Sequence, residues 1–560
     1  MPNRGIGYDA MVFVGLRRHL DHRQRDEIRK SLVDQHGVSL SAGEVSDLAK
    51  CFLEYMERLH QACNEPLRKA LKGDGGWPLH VDATGENGRG TTLVALAGWR
   101  KWVLGAWKIP TERADAILPR LRSVVNSFGA PVGVVRDLGP AVTGAVDNLV
   151  DECELDIPVL ACHLHFLADI GKDLMDPAHG ELRTWFRRFE VPSRLRALAR
   201  DLGRKLGEEI DQAREALPDW GGQQDGTHRV PEGRDGLAAV RALAQWVLDY
   251  PADGSGQGFP FDRPYLDLYD RCLCMRRAVD AFLLKPPEDR LVRGSLERPG
   301  RMLDPATCQV PLAQVARRLR KRAQLFDELR DALRLIPKSG EPEVDSSSEP
   351  SPQGPQKLKE VRIDVDRLKT SLQERRPERG PGQDTRQAID LILRHLEKHG
   401  DSLWGHAIPM PEGLGGGIRL IERTNNILES FFRSMKQGER RRSGRKNLAQ
   451  DFENLPAAAA LVRNLLDPDY VSIVCGSLDD LPQAFAQLDI SRRRELLARS
   501  TPTAGTKTPP PDIVSASLPR ADRRFVRSGA MRQRVNSAAR SRAPRTDRTG
   551  REQPACPTAN

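Results

Sequence analysis

Three carboxylates, Asp82, Asp137 and Glu429, stand where phosphoryl-transfer chemistry would need them. Asp82, in PLHVDAT, falls within or at the end of a short β-rich run, and Asp137 closes another in PVGVVRD. If the two runs are neighbouring strands, both carboxylates project from one region of a sheet. Mg²⁺ prefers such oxygen ligands and is commonly held by one or two carboxylates together with substrate phosphates. Two such ions about 3.5–4 Å apart activate the attacking oxygen and stabilise the leaving one in an in-line displacement. The plainer reading is that an Asp at a strand end caps the following turn or helix. A third acid would complete the set. Glu429 is placed for it, because Thr424, Asn425 and Asn426 are turn and cap formers. After them Ile427, Leu428, Phe431, Phe432 and Met435 recur at helical spacing. Glu429 then lies on the first turn, bordering the apolar stripe, with Arg433 at i+4 offering an ordinary surface ion pair instead. Glu422 is the rival acid, but it precedes the RTNN break and belongs to another element.

Other polar groups carry weaker signals. Cys162 and His165 are spaced Cys-x2-His, yet no second Cys-x2-Cys or His-x3-His pair lies nearby, and Cys272-x-Cys274 has the wrong spacing. Zinc needs four ligands, so a supporting role at a strand–helix junction, shared with His163, or a contact to DNA is the better expectation. The GLGGG run at 413–417 lacks the Lys-Ser/Thr of a phosphate loop and reads as a connection. Arg433, Lys436, Arg440, Arg441, Arg442, Arg445 and Lys446 against Glu439 give +6, starting on the Glu429 helix beside the acids. Such a patch suits salt-sensitive phosphate binding.

The elements that must position these groups follow in order. Residues 1–76 read as helices: SAGE at Ser41–Glu44 matches a capping box, and Val45, Leu48, Phe52 and Leu59 mark one face. With the basic helix upstream and a Gly-containing turn between, this is the layout of a helix-turn-helix, or of a plain helical module with a solvated face. Residues 77–176 change period. PLHVDAT, TTLVALAGW and KWVLGAWKI are strands, the first two joined through GENGRG as a hairpin, and helix, strand, helix, strand, helix follow. Pro119 is a candidate kink in the first of those helices. A β-meander followed by αβαβ is the connectivity of a ribonuclease H-like fold, an α/β (α+β) mixed sheet flanked by helices.

Residues 177–400 form a mostly helical insertion. In it Leu312, Val315, Leu319, Phe326, Leu329, Leu333 and Ile336 mark one helix face, and arginines fill a solvated remainder. The segments 219–236, 251–260 and 338–357 are Pro/Gly/Ser-rich connections expected to be exposed and mobile. Residues 401–470 return to the core with the Glu429 helix, 471–500 add a short helical extension, and 501–560 read as a disordered basic tail.

RTNNILESFFRSMKQGERRRSGRKN resembles the end of the catalytic region of DDE transposases, those of bacterial insertion sequences and the Mutator-like superfamily. Asp82 and Asp137 resemble the first two acids of that triad, and Cys162-x2-His165 is similar to the Cys-x2-His signature of Mutator-like and hAT-like enzymes. The resemblance spans about residues 30–470. It implies Asp82, Asp137 and Glu429 as catalytic and metal-binding residues, Mg²⁺ (or Mn²⁺) as cofactor, and element-end and target DNA as partners. It also implies strand cleavage followed by strand transfer, and a homo-oligomer that synapses two ends. A resolvase-type nuclease of the same fold, and a non-catalytic DNA-binding descendant, are the alternatives. The 292-residue spacing from Asp137 to Glu429 requires the insertion to fold outside the core, which loop-closure entropy tolerates.

Length and charge agree. A chain of 560 residues exceeds one core, and 9 scattered cysteines form no disulfide framework. No apolar run is long enough for a membrane span and the first residues lack a signal-peptide core, so a cytoplasmic, DNA-associated protein is expected. Of the net +10, the tail holds +8 through one Lys and eleven Arg against four acids, leaving −4 outside the tail and the 433–446 patch.

Overall fold

A computed structural model describes residues 5–221, 230–335 and 354–500. The expected tail at 501–560, Ile336 and most of the 338–357 connection lie outside the described residues. So does the centre of the 219–236 connection. Five strands form a mixed sheet in the order β3-β2-β1-β4-β5. They are β1 (Pro78–Glu86), β2 (Arg89–Ala97), β3 (Trp102–Lys108), β4 (Gly133–Arg136) and β5 (Val159–Ala161). β1, β2 and β3 are an antiparallel meander, and β4 and β5 add in parallel to β1. The β1–β2 hairpin closes through Asn87 and Gly88, both at positive φ, the conformation a two-residue turn needs to match strand twist.

Strand alternation divides the sheet's two faces. Leu79, Val81 and Val134 point into the main core, shared with helices Ala42–Ala62, Ala114–Phe128, Pro140–Glu152 and the Glu429 helix, Asn426–Ser443. Pro119 sits inside the uninterrupted helix Ala114–Phe128. Val135, Leu160 and Cys162 belong to a small second cluster with Trp99 and Ile421. Edge strand β3 is covered by the 3₁₀ segment Ala457–Leu466: buried Asn464 accepts from Val103 N–H and donates to Val103 C=O, each at 2.8 Å, in the manner of one more strand residue.

The Ser41 capping box forms as expected, with Glu44 N–H to Ser41 Oγ at 3.2 Å and Ser41 N–H to Glu44 Oε2 at 2.7 Å. Gly37, left-handed, ends the preceding helix Arg25–His36. Val45, Leu48 and Phe52 enter the same core as the sheet, so the N-terminal helices share it rather than owning a separate one.

The insertion does have its own core, running from Ala161 at the end of β5 to Leu403. Its first helix is His163–Phe189, continuous from β5, so residue 177 falls mid-helix. The apolar side of the long helix Val310–Leu333 is buried as its periodicity predicts. After the insertion, β6 (Ala407–Pro409) and β7 (Ile418–Leu420) form a two-stranded hairpin. Gly415, Gly416 and Gly417, all at positive φ, make its turn, which is the role of the GLGGG run. Among the described residues no helix is long and apolar enough to cross a membrane.

Candidate active site

Val81 on β1 pairs with Arg136 on β4 in parallel register, so the next residues, Asp82 and Asp137, are neighbours on one face at the point where β4 ends and β1 continues. Each carboxylate also accepts a local backbone bond: Asp82 from Ala83 N–H at 2.7 Å, Asp137 from Gly139 N–H at 3.2 Å. The latter is the turn-capping role the plainer reading assigns to a strand-end Asp, and it coexists with the pairing. Burial, then Asp137, and further Glu429 push the Asp82 carboxyl up to about 7. Burial also raises Asp137, opposed chiefly by His165. The arginine beside Asp137 turns away: Arg136 donates to Thr143 Oγ1 at 2.6 Å and reaches Asp147 at 3.6 Å.

Glu429 joins them from the first turn of its helix. Its Oε1 lies 3.9 Å from His165 Nε2, with both side chains about one-third exposed. Arg433, which the sequence offered as its i+4 partner, makes no ion pair among the described residues. Glu422 lies before the helix, between β7 and Arg423.

Asn425 holds this helix against the sheet. The expectation was a capping residue, but its side chain makes no cap bond. Fully buried, its Nδ2 donates to Val81 C=O at 3.3 Å and its Oδ1 accepts from His80 Nδ1 at 3.0 Å. Its backbone N–H points to Cys162 Sγ at 3.2 Å, and its C=O accepts from Glu429 N–H at 2.9 Å. One residue thus connects the strand of Asp82, the start of the Glu429 helix and the cysteine at the head of the His165 helix. The two halves of Cys-x2-His therefore separate in role. Cys162, its thiol pushed up to about 12 by burial, is a neutral hydrogen-bond acceptor, while His165 faces the acids. His80, held down to about 4 by burial, is neutral and donates.

Sequence reasoning missed His80, although it shares strand parity with Asp82. It also missed Arg423. Buried, the Arg423 guanidinium donates to Leu333 C=O at 2.8 Å, at the C-terminus of the long insertion helix, and its own C=O accepts from His163 N–H at 2.9 Å. A cation at a helix C-terminus is favoured by the helix dipole. The insertion is therefore fastened to the same loop that positions Glu429. His163 turns from the acids, its Nε2 2.9 Å from Leu403 O.

The basic patch is only partly free. Lys436 and Arg440 lie 3.6 and 3.7 Å from Glu86, Arg442 pairs with buried Glu439, and Arg445 lies 3.5 Å from Asp451. Arg433, Arg441 and Lys446 form no ion pair among the described residues.

The donor set fits a hard divalent cation. Two half-buried carboxylates on adjacent strands, Asp82 raised first by burial and then by the Asp137 charge, are an all-oxygen pair that His165 and Arg136 offset only at Asp137. Among the described residues no three His, Cys, Asp or Glu side chains converge into a ready metal cage. Compared with known proteins, the chain matches no family model and no curated sequence.

Proposed function

We propose that this chain is a DDE-type DNA transposase with a ribonuclease H-like catalytic core. It would bind the ends of a mobile element, cut a strand by hydrolysis and join the resulting 3′-OH to target DNA. The observation that carries the reading is the adjacency of Asp82 and Asp137 at equivalent positions of parallel β1 and β4, with Glu429 brought to them from 292 residues away. The strand order, a meander followed by two parallel strands on the β1 side, supports the fold half of the proposal.

Asp82, Asp137 and Glu429 would hold Mg²⁺ or Mn²⁺, which when bound supplies Lewis-acid stabilisation of the attacking and leaving oxygens. The chain's own groups do the rest. Asn425 fixes the height of Glu429 against Asp82. His165 stands between Glu429 and Asp137, where its imidazole orients a carboxylate. Arg433, one turn beyond Glu429 and unpaired among the described residues, faces solvent where a phosphate would approach. In hydrolysis water oxygen bonds to phosphorus as the 3′ oxygen departs with a proton. In transfer that 3′-OH attacks a target phosphorus and displaces another 3′ oxygen.

The test is a strand-cleavage assay with Mg²⁺ on labelled duplexes taken from the DNA flanking the gene, chosen at any inverted repeats found there. Cleavage by the wild type and none by Asp137→Asn is the expected result. Cleavage retained by Asp137→Asn overturns the assignment.

A further inference from the structure

The Glu429 helix does not end in open solvent. The turn between the N-terminal helices seats on it: Gln24 Nε2 donates to Arg441 C=O at 3.3 Å, and His22 packs so closely on Gly438 that a Cβ there would lie 2.3 Å from the ring. This contact, between segments more than 400 residues apart, brings cations of one sign together. Arg18, whose Nη1 reaches Arg23 C=O at 3.2 Å, and exposed Arg25 come from the turn; Arg441 and Arg442 come from the helix. Burial first and then the Arg442 charge lower the Arg18 guanidinium to about 10, and Arg25 adds to the repulsion. His22 is lowered by burial and then by both helix arginines. Glu439, Asp451 and Asp21 oppose this charge, but each is already paired, with Arg442, Arg445 and Arg17 respectively. Arg25 and Arg441 make no ion pair among the described residues.

Holding like charges together costs stability, and a fold that does so at a surface gains it back when a polyanion binds. We infer that the Arg18–Arg25 turn and the Arg441 end of the Glu429 helix form one composite surface for the phosphate backbone of duplex DNA. This deepens the proposed function and rests on it for the choice of DNA. Arg441 lies twelve residues from Glu429, about 18 Å along a helix. With strand phosphates spaced about 3.4 Å along the axis, that distance spans at most about five nucleotides of duplex. Because the contacts are to phosphate, they position the duplex and read no sequence.

The test measures equilibrium binding of a 40-base-pair duplex of arbitrary sequence by fluorescence anisotropy, with EDTA, between 50 and 200 mM salt. The double variant Arg25→Gln/Arg441→Gln changes exposed side chains and leaves the fold intact by thermal melting. Its salt slope is expected to fall by about 2, roughly 0.9 per lost phosphate contact, with affinity down about tenfold at 50 mM salt. Adding Arg18→Gln lowers the slope further. Arg204→Gln/Arg367→Gln, two equally exposed arginines of the insertion, is expected to bind like the wild type. An unchanged slope in the first variant, or an equal fall in the control, overturns the surface. Tighter binding of double-stranded RNA than of DNA overturns the choice of partner. Loss of binding in the first variant, in a protein that never cleaves, sinks the reaction and leaves the surface standing. Unaltered binding with normal cleavage does the reverse.

Discussion

Along the long insertion helix Val310–Leu333, four of the five arginines meet an acid. Arg318 lies 2.8 Å from Glu181, Arg320 pairs with Asp270, Arg322 lies 2.6 Å from Asp384, and Arg330 lies 2.8 Å from Asp327. Where β4 ends beside central β1, Asp82 faces Asp137, and the adjacent Arg136 is shared with Thr143 and Asp147. The N-terminal turn and the end of the Glu429 helix repeat the imbalance with the opposite sign. Charge is neutralised within the fold where it serves architecture, and left uncompensated where a ligand can complete it. Perturbed carboxylates in a cleft mark such places.

The largest break of this contrast is Asp137→Asn or Asp82→Asn. Either is expected to lower strand cleavage by more than about 10³-fold while duplex affinity, measured by anisotropy, stays within twofold. Cleavage within tenfold of wild type would put the acids on the architectural side.

The next concerns pH. Folding raises the Asp82 carboxyl from 3.8 to about 7, so between about pH 4 and pH 7 the folded state binds more protons than the unfolded one. Asp82 by itself therefore lowers stability without metal as pH rises through that window, by on the order of 3 kcal/mol, while the buried neutral histidines His19, His60, His80, His163 and His406 raise it over the lower part of the same range. Chemical denaturation in EDTA at pH 5 and pH 8 measures this. Asp82→Asn is expected to gain stability relative to the wild type between pH 5 and pH 8, the difference isolating the Asp82 contribution, and Mg²⁺ at pH 8 to stabilise the wild type but not the variant. A difference between Asp82→Asn and the wild type that is the same at both pH values without metal removes the premise of a carboxylate pair raised by its own repulsion.

Asn425→Ala strips the junction of its side-chain bonds to His80 and Val81. A loss of about 2–3 kcal/mol in unfolding free energy is expected, since buried partners are left unpaired. Cleavage per folded molecule should also fall more than tenfold, which a purely architectural residue would not cause. Arg322→Met sharpens the other side. Arg322 also donates to Leu174 C=O at 2.7 Å, so its loss should cost about 2 kcal/mol in denaturant unfolding with cleavage per folded molecule unchanged.

The legible part of the site was its acids. Asp82 and Asp137 sat at strand ends that local apolar runs define, and Glu429 on the first turn of a helix that its stripe defines. The junction was not legible. Asn425 looks like a cap because Asn before a helical stripe usually is one. Its side chain instead bonds strand residues 344 and 345 positions upstream, which no local pattern encodes. The same holds for Arg423 on the Leu333 carbonyl and Cys162 as an acceptor. The seven-cation patch read as one surface, but Glu86, Glu439 and Asp451 neutralise four of its members, and of the three that remain Arg441 joins the N-terminal turn.

By itself the sequence determined what depends on neighbours along the chain. That covers the meander and its Asn-Gly turn, the Ser41 cap, the amphipathic faces of the insertion and the residue types able to take a divalent cation. Only the tertiary structure decided which charges stay uncompensated, because ion pairing is settled by distances across the fold. It also decided that one buried asparagine fixes the third acid to the first, since a hydrogen bond between elements exists only once packing has brought them within 3 Å or so.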